Sequence, residues 1–416
     1  MANIIKLPQY IWYEPREVEF PLPDSWEVAV HNIAGCDLPV MTPEQVRTSI
    51  TSPIGMPPLR EMAKGKKEVA IIFDDMTRST PVHQMLPPIL DELAEAGIAD
   101  SQIRIIAAVA NHQALDRISM VKKVGEEVLT RIPVYNHCPF MNCTYIGTTS
   151  FGTKVSINSE VMHCDLKIGI GEVSPHISHG FSGGAKIIMP GVAAYETVTQ
   201  EHSQTHKEWR TKIKELGVSC MGIYDDNPMN ADIREIGQMA GLDMIVDCIV
   251  NVWGEPVEIF AGALEPAYEK VVEKAKSHYL VANTCDNDIV IANAYIKASE
   301  FQTAWVNAYP AVKPEGGDVV VIANSPNGQV VHYLLGTFGK TIRGSIHRQH
   351  LLPPNVNHLI IYTEYPELRI LDVFPEKDKV LLMSDWNDVV KTLEGFHGAT
   401  AKVAVFPCAD IQYSTD

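Results

Sequence analysis

A short polar segment of this chain concentrates groups that could take part in catalysis. Residues 174–186 read SPHISHGFSGGAK, so two imidazoles (His176 and His179), one amine (Lys186) and a glycine pair fall within thirteen residues. The segment comes shortly after the apolar run LKIGIG, which is typical of a buried parallel strand. Open α/β sheets bind ligands at the carboxyl ends of their strands, and a small residue near a lysine would let a flat cofactor approach the backbone. The pattern therefore predicts a functional site in which Lys186 is an active-site amine rather than a solvated charge.

Two further polar groups each follow a β-branched run that is typical of a buried strand. Arg78 belongs to the segment DDMTR, and His112 belongs to the segment ANH. An arginine at a strand end offers a planar fork for a carboxylate or phosphate, although a helix cap with a surface ion pair explains the same pattern. A lone histidine in such a place is more often structural. However, three successive strands bring Arg78, His112 and His176 to one edge of a sheet, and this coincidence favours function.

A pair of histidines follows further along the chain. His202 and His206 lie four apart in segment 195–210, which reads as helical, so both rings are expected on the same side. Such a pair can bind a transition metal, but HxxxH without HExxH often occurs by chance. A single histidine ligand, with the other ligands supplied by a cofactor, fits a chain that has no other ligand cluster.

These groups must be positioned by an alternation of apolar β-branched runs and amphipathic segments, which is typical of βαβ units around parallel sheets. The predicted strands are Val69–Phe73, Ile103–Val109, Leu166–Ile170, Met244–Val250, Asp288–Ala292, Asp318–Ala323, His358–Tyr362, Val380–Met383 and Lys402–Phe406. The predicted helices are Met85–Ala96, Ser119–Leu129, Asp225–Gly241, Leu264–His278 and one that begins after Gly191. We predict two α/β domains with mainly parallel sheets, residues 1–278 and 279–416, and an active site in the inter-domain cleft.

Composition excludes several classes of protein. The 416 residues are 46% hydrophobic, enough to bury a large core. The 34 basic and 51 acidic residues give a net charge of −17, which argues against nucleic acid or an anionic membrane as the main partner. No apolar run approaches the about 20 residues of a membrane span and no signal peptide is evident, so we predict a cytoplasmic location. The eight cysteines contain no CxxC pair and are expected to be reduced thiols.

Together the motifs resemble the nickel-pincer lactate racemase family. The segments that agree with it in order and spacing are DDMTR at 74–78, ANH at 110–112, PHISHGFSGGAK at 175–186, PG at 190–191 and the histidine at 202. The resemblance implies a nickel-pincer nucleotide, a pyridinium-3,5-bisthiocarboxylic acid mononucleotide that holds nickel through two sulfur atoms and a ring carbon. In that family a thioamide tethers the cofactor to a lysine, and a histidine completes the square-planar nickel shell.

The family roles can be carried over position by position. The resemblance implies that Lys186 is the attachment point, that His202 binds nickel, and that His112 and His176 form the acid–base pair. His179 and His206 are then structural or supporting residues. The implied cofactor pocket also contains Asp75, Arg78, Ser182, Gly183 and Gly184.

The implied reaction inverts C2 of a 2-hydroxy acid. One imidazole removes the hydroxyl proton as hydride leaves the carbon for the cofactor, and hydride then returns to the other face. Where lactate racemases carry a Tyr-Gln pair followed three residues later by a lysine, this chain has Phe301, Gln302 and then Trp305. An indole can pack on a larger substrate but cannot neutralise an anion. We therefore predict an acid larger than lactate, bound by Arg78, Gln302, Trp305 and Lys297.

Two other functions stay open. Lys186 could form a Schiff base with pyridoxal phosphate or a carbonyl substrate, although no partner for a pyridine nitrogen is evident. The chain could also be a non-catalytic protein that binds nickel or the cofactor on the same fold. The expected partners are a small-molecule 2-hydroxy acid and the proteins that make and insert the cofactor, with no nucleic acid and no membrane. The sequence leaves open whether the protein is a homo-oligomer.

Overall fold

The computed structural model describes residues 3–216, 220–334 and 351–415. Two six-stranded sheets, both mainly parallel, form its framework, and helices pack against them. The predicted α/β class with mainly parallel sheets is confirmed.

The strands follow the predicted apolar runs closely, and additional short strands lie between them. In the described residues they are β1 (Asn3–Gln9), β2 (Arg16–Leu22), β3 (Glu27–Val30), β4 (Val69–Asp74), β5 (Ile103–Ala108), β6 (Val134–Asn136), β7 (Cys143–Thr148), β8 (Lys154–Asn158), β9 (Leu166–Glu172), β10 (Pro175–His176), β11 (Gly180–Phe181), β12 (Met244–Val250), β13 (Pro256–Gly262), β14 (Ile289–Asn293), β15 (Gly317–Ile322), β16 (Val356–Tyr362), β17 (Val380–Met383) and β18 (Lys402–Phe406).

The helices occupy the amphipathic segments between the strands. They are α1 (Pro43–Thr51), α2 (Leu59–Met62), α3 (Val82–Glu95), α4 (Arg117–Val124), α5 (Glu126–Arg131), α6 (Ser159–His163), α7 (Tyr195–Gln200), α8 (Lys207–Leu216), α9 (Pro228–Met239), α10 (Leu264–His278), α11 (Gln302–Ala308) and α12 (Trp386–His397).

The first sheet has the order β13-β12-β9-β4-β5-β6, in which β13 is antiparallel to β12 and the other pairs are parallel. Every residue of β9 and β12 is buried, as expected for parallel strands covered on both faces. The register pairs Asp74 of β4 with Ala108 of β5, and Phe73 of β4 with Ile170 of β9. The carboxyl ends of β4, β5 and β9 therefore meet at one edge of the sheet.

The second sheet has the order β17-β16-β15-β14-β18-β3, and all of its pairs are parallel. Its edge strand β3 comes from the N-terminal part of the chain and pairs with β18. Apolar side chains of β1 and β2, including Leu7 and Phe20, belong to a core that also contains residues of β14, β15 and β18. The domain boundary between residues 278 and 279 stays a prediction. The N-terminal strands β1, β2 and β3, however, pack with the second sheet rather than with the first.

Two helices differ from their predicted extents. The segment Ser119–Leu129, predicted as one helix, is interrupted at Gly125, whose φ of +84° separates α4 from α5. The helix predicted after Gly191 begins as α7 and passes into a π-helical turn at Glu201–Thr205 before α8. In the three described segments, no helix is both long and apolar enough to cross a membrane.

Candidate active site

The polar groups that follow β4, β5 and β9 line two neighbouring cavities. Side chains around the first, the Lys186 cavity of about 90 Å³, include those of Asp75, Arg78, His112, Ser182 and Lys186. Side chains around the second, the His176 cavity of about 180 Å³, include those of Arg78, His176, His202, Lys297, Glu300 and Gln302. Arg78 lines both cavities, so they adjoin at this residue. The structure thus brings together the residues that the strand-end argument placed at one edge.

Asp75 orients His112. Its Oδ2 lies 2.7 Å from His112 Nδ1, and its other oxygen accepts hydrogen bonds from the backbone N–H and hydroxyl of Thr77. Burial lowers the pKa of His112, but the charge and hydrogen bond of Asp75 together with the charge of Glu300 outweigh burial, so that this pKa is raised overall. Burial raises the pKa of Asp75, but His112 and Thr77 lower it by more, so that this pKa is depressed overall. With Nδ1 facing Asp75, Nε2 is the ring nitrogen of His112 that remains for a substrate.

His176 lies at the end of β10 and is held by the turn that follows it. Its Nδ1 accepts hydrogen bonds from the backbone N–H groups of Ser178 (3.2 Å) and His179 (3.3 Å). In the neutral ring the proton therefore belongs on Nε2. Burial, together with the nearby positive charge of Lys186, lowers the pKa of His176 well below its usual value. His176 is accordingly a neutral imidazole with an N–H available to the cavity.

Lys186 lies in the short helical turn Gly184–Ile187, where its side chain is half-buried and its amine is surrounded by protein. Its Nζ lies 3.2 Å from Nδ1 of His179, whose Nε2 is 3.1 Å from Glu201 Oε1. Because Nε2 of His179 donates a hydrogen bond to Glu201, Nδ1 of that ring accepts one from Lys186. Burial lowers the pKa of Lys186 to about 7, so a large fraction of the amine is unprotonated at neutral pH. An unprotonated buried amine is a nucleophile that can form a covalent bond to a cofactor.

His202 occupies the π-helical turn, an irregularity that is frequent at functional sites. Its Nδ1 lies 2.5 Å from Glu201 Oε2 in an ion-pair contact that is not aligned as a hydrogen bond. The side chain is 22% exposed and lines the His176 cavity. Glu201 is fully buried between His179 and His202, and the three residues could together hold a metal ion. A carboxylate behind a histidine is the usual arrangement around a metal ligand, because it fixes the orientation of the ring.

His206 does not share the position of His202. Its Nε2 lies 2.8 Å from Asp232 Oδ2, which also accepts a hydrogen bond from the hydroxyl of Thr153. Although Glu201, His206 and Asp232 are close enough to hold an ion, His206 does not line either of the two cavities. The sequence predicted a regular helix with both rings on one side. The π-helical turn at Glu201–Thr205 interrupts this helix between the two histidines.

The glycines before Lys186 are required by packing within the protein. Gly183 and Gly184 both have positive φ values, +77° and +56°. A Cβ on Gly183 would lie 2.3 Å from Val173, and one on Gly184 would lie 2.6 Å from the ring of Tyr268. The backbone N–H of Gly184 also donates to Asp247 Oδ2 at 2.7 Å. The close fit of this turn against its neighbours therefore requires the glycine pair, and Gly183 also lines the Lys186 cavity. That these small residues let a cofactor approach the backbone stays a prediction.

Of the three residues of the C-terminal half that were predicted to bind substrate, two line one of the cavities. Lys297 and Gln302 line the His176 cavity, and Lys297 Nζ donates to Ser174 Oγ at 3.0 Å. Burial lowers the pKa of Lys297 to about 8. Trp305 is placed differently: it is 2% exposed, lies in the apolar core of the second sheet and does not line the cavity. The prediction that its indole packs on the substrate does not agree with this position.

Three site residues were missed by the sequence argument. Glu300 bridges Arg78 and His112, with Oε2 at 3.0 Å from Arg78 and Oε1 at 3.7 Å from His112 Nε2. His332 also lines the His176 cavity, and its ring centroid is 4.9 Å from that of His112. Glu201 could have been found, because it directly precedes a predicted metal ligand. No spacing in the sequence indicates Glu300 or His332.

Comparison with known proteins agrees with the predicted resemblance. Residues 13–214 match the family model of the lactate racemase N-terminal domain. A lactate racemase from Thermoanaerobacterium thermosaccharolyticum is 28% identical over 336 residues, which cover 79% of this chain and 76% of that protein. A lactate racemase from Lactiplantibacillus plantarum is 29% identical over 290 residues, which cover 68% of this chain and 66% of that protein. The resemblance to the lactate racemase family is therefore confirmed.

Solved structures support the fold over the whole length of the chain. The lactate racemase apoprotein of Thermoanaerobacterium thermosaccharolyticum superimposes with a TM-score of 0.75 at 24% identity and covers 100% of both chains. A protein from Thermotoga maritima superimposes with a TM-score of 0.68 at 19% identity, covering 90% of this chain and 99% of its own.

Proposed function

We propose that this chain, whose residues 13–214 match the lactate racemase N-terminal domain, is a racemase or C2 epimerase that acts on a 2-hydroxy acid larger than lactate. The observation that carries the proposal is the pair of adjoining cavities around Arg78. They bring two histidines in opposite hydrogen-bonding states (His112 and His176), a buried amine and a further imidazole to one place.

The residues of the two cavities fit a nickel-pincer nucleotide. Lys186 offers a partly unprotonated amine for the tether, and His202 offers an imidazole with Glu201 behind it as the nickel ligand. The Lys186 cavity and the His176 cavity adjoin at Arg78, so a group attached to Lys186 can extend toward His202. A soft sulfur–carbon pincer completed by one imidazole suits nickel. When bound, this cofactor would supply the hydride acceptor that a redox-neutral inversion at C2 needs.

The two histidines would transfer the hydroxyl proton. Asp75 holds Nδ1 of His112, so Nε2 of the neutral ring is a proton acceptor that faces the site. His176 is in the complementary state, because its Nδ1 is occupied by backbone N–H groups and Nε2 carries the proton. One ring can accept the hydroxyl proton of one enantiomer, and the other can return a proton to the same oxygen when the opposite enantiomer is formed. Conversion of Lys186 to an uncharged thioamide would remove one of the charges that lower the pKa of His176.

Cations in the His176 cavity would fix the substrate carboxylate. Lys297 would take the place of the lysine missing at Trp305, because its ammonium group, among the described residues, donates to the neutral hydroxyl of Ser174 and to no carboxylate. Arg78, whose charge is paired with Glu300, also lines this cavity, and Gln302 provides amide hydrogen bonds. This arrangement would position C2 between the two imidazoles, with the rest of the acid in the His176 cavity.

The decisive experiment is intact-mass and nickel analysis of protein produced together with the enzymes that make the cofactor, followed by a screen of chiral 2-hydroxy acids for inversion at C2. We expect a covalent adduct containing two sulfur atoms, about one nickel per adduct, and little solvent deuterium at C2. Lys186→Ala should lack the adduct, and His112→Ala and His176→Ala should each lower turnover by at least about 100-fold. A borohydride-reducible chromophore on Lys186 would instead favour Schiff-base chemistry. Nickel-loaded protein that inverts none of the acids would overturn the racemase proposal.

A further inference from the structure

Glu300 places a carboxylate in the cavity proposed to hold the substrate. It belongs to the short helical turn Ala298–Glu300 that precedes α11, and its side chain is 21% exposed. One carboxylate oxygen lies 3.0 Å from Arg78, and the other lies 3.7 Å from Nε2 of His112. Glu300 is therefore close to the atoms that would handle the hydroxyl proton, yet no step of the proposed inversion uses it.

The charges around the His176 cavity limit the number of carboxylates that a ligand can carry. Among the described residues that line it, Glu300 is the sole carboxylate, and Arg78 and Lys297 are the two cations. Glu300 is paired with Arg78, whereas the ammonium group of Lys297 donates to the neutral hydroxyl of Ser174. These lining groups therefore carry one positive charge beyond the pair, which matches a ligand with one carboxylate.

Besides the apolar side chains of Pro175, Ile177, Val306 and Val373, the lining contains groups that form hydrogen bonds. Glu300 accepts them, Gln302 both donates and accepts, and the hydroxyls of Ser178 and Thr303 do both as well. A hydroxyl group on the ligand can donate to Glu300 without displacing Arg78, because a carboxylate has about four acceptor positions. A second carboxylate would be repelled by Glu300, and an apolar tail would leave these polar groups without partners.

We infer that Glu300 selects a monocarboxylate with several hydroxyl groups beyond C2, an acid of the aldonic class, over lactate, dicarboxylates and apolar 2-hydroxy acids. This inference rests on the proposed function. Lys297 holds the carboxylate, Glu300 accepts a hydrogen bond from a hydroxyl on the tail, and Arg78 keeps the Glu300 carboxylate in position.

The test compares four ligands on the cofactor-loaded protein: D-gluconate, L-lactate, L-malate and L-2-hydroxyhexanoate. We expect kcat/KM for gluconate to exceed the other three values by about tenfold or more, the effect of one charge-assisted hydrogen bond. In Glu300→Gln the preference for gluconate over lactate should fall by about tenfold, and the relative rate with malate should rise. Glu315→Gln, a change at an exposed glutamate outside the site, should leave all the ratios unchanged.

Equilibrium binding separates this inference from the racemase proposal and does not depend on turnover. Calorimetric titration of the same four acids into wild-type protein and Glu300→Gln should show the same order of affinities and the same loss of preference. Deoxygluconates lacking single hydroxyls, tested on wild-type protein, identify the recognised hydroxyl even if the variant is poorly folded. Equal affinity for gluconate and 2-hydroxyhexanoate, or an unchanged preference in folded Glu300→Gln, would overturn the inference. Selective binding of gluconate without inversion would support it while the racemase proposal failed.

Discussion

Replacement of Asp75 by asparagine tests the origin of the proton acceptor at His112. The wild-type carboxylate lies 2.7 Å from Nδ1 of His112, and Asp75 is 5% exposed. Asparagine keeps the shape but removes the charge, so the burial that lowers the pKa of His112 is no longer outweighed. A charge-assisted hydrogen bond of this kind contributes about 1.5–3 kcal/mol. If the contribution persists in the transition state, kcat/KM should fall by about 10- to 100-fold.

The pH dependence of stability gives a second measure of the same pair. The depressed pKa of Asp75 contributes stability that is present above the unfolded carboxyl pKa and lost as pH falls through the folded value. The raised pKa of His112 contributes stability that is present below the unfolded imidazole pKa and lost as pH rises through the folded value. The difference in unfolding free energy between wild type and Asp75→Asn should therefore be largest between about pH 4 and pH 6.5.

Three measurements together test whether Asp75 positions His112: NMR titration of the histidines, urea unfolding and steady-state kinetics. Asp91→Asn is the matched control, because Asp91 is 56% exposed and pairs with Arg47 on the surface, where an ion pair contributes about 0–1 kcal/mol. We expect the pKa of His112 to fall in Asp75→Asn and to stay unchanged in Asp91→Asn. Wild-type titration of His112 together with wild-type kcat/KM in Asp75→Asn would refute the assignment of Asp75 as the residue that positions this base.

Three further outcomes are expected. In protein without cofactor, acetylation of Lys186 followed by mass spectrometry should increase through a midpoint near pH 7, because the unprotonated amine reacts; a midpoint typical of exposed lysines would contradict its burial. Glu201→Gln should weaken nickel retention by about 10- to 100-fold while the organic adduct on Lys186 is retained, and Glu196→Gln, at an exposed position of α7, should not. Trp305→Ala should lower the free energy of unfolding in urea by about 3–5 kcal/mol with little change in substrate preference per folded molecule, whereas a changed preference would restore its predicted contact with substrate.

The sequence was most informative for elements in which one continuous apolar or amphipathic run determines both the secondary structure and the buried face. Four of the predicted elements, including β12 at Met244–Val250 and α10 at Leu264–His278, have the predicted bounds because each is a single amphipathic or apolar run between clear ends. The same regularity placed Arg78, His112 and His176 at one sheet edge, since strand ends of parallel neighbours coincide.

The failures come from contacts between distant parts of the chain and from one unused pattern. Glu300 reaches Arg78 from the other half of the protein, and nothing local to either residue indicates the pair. Trp305 could have been assigned correctly, because Phe301, Ala304, Trp305 and Ala308 repeat at the spacing of a buried helical face and are all buried. Gln302 and Thr303 lie on the face of α11 that lines the cavity.

The pairing of β3 with β18 has a consequence for synthesis on the ribosome. Lys402 of β18 lies opposite Glu27 of β3, so β3 cannot pair with its neighbour until almost the whole chain has been synthesised. Until then, the apolar side chains of β1 and β2 have no sheet to cover. Chains released before synthesis is complete should therefore expose the apolar side chains of the β1–β2 hairpin and aggregate more readily. The second sheet should be completed only after translation is nearly finished.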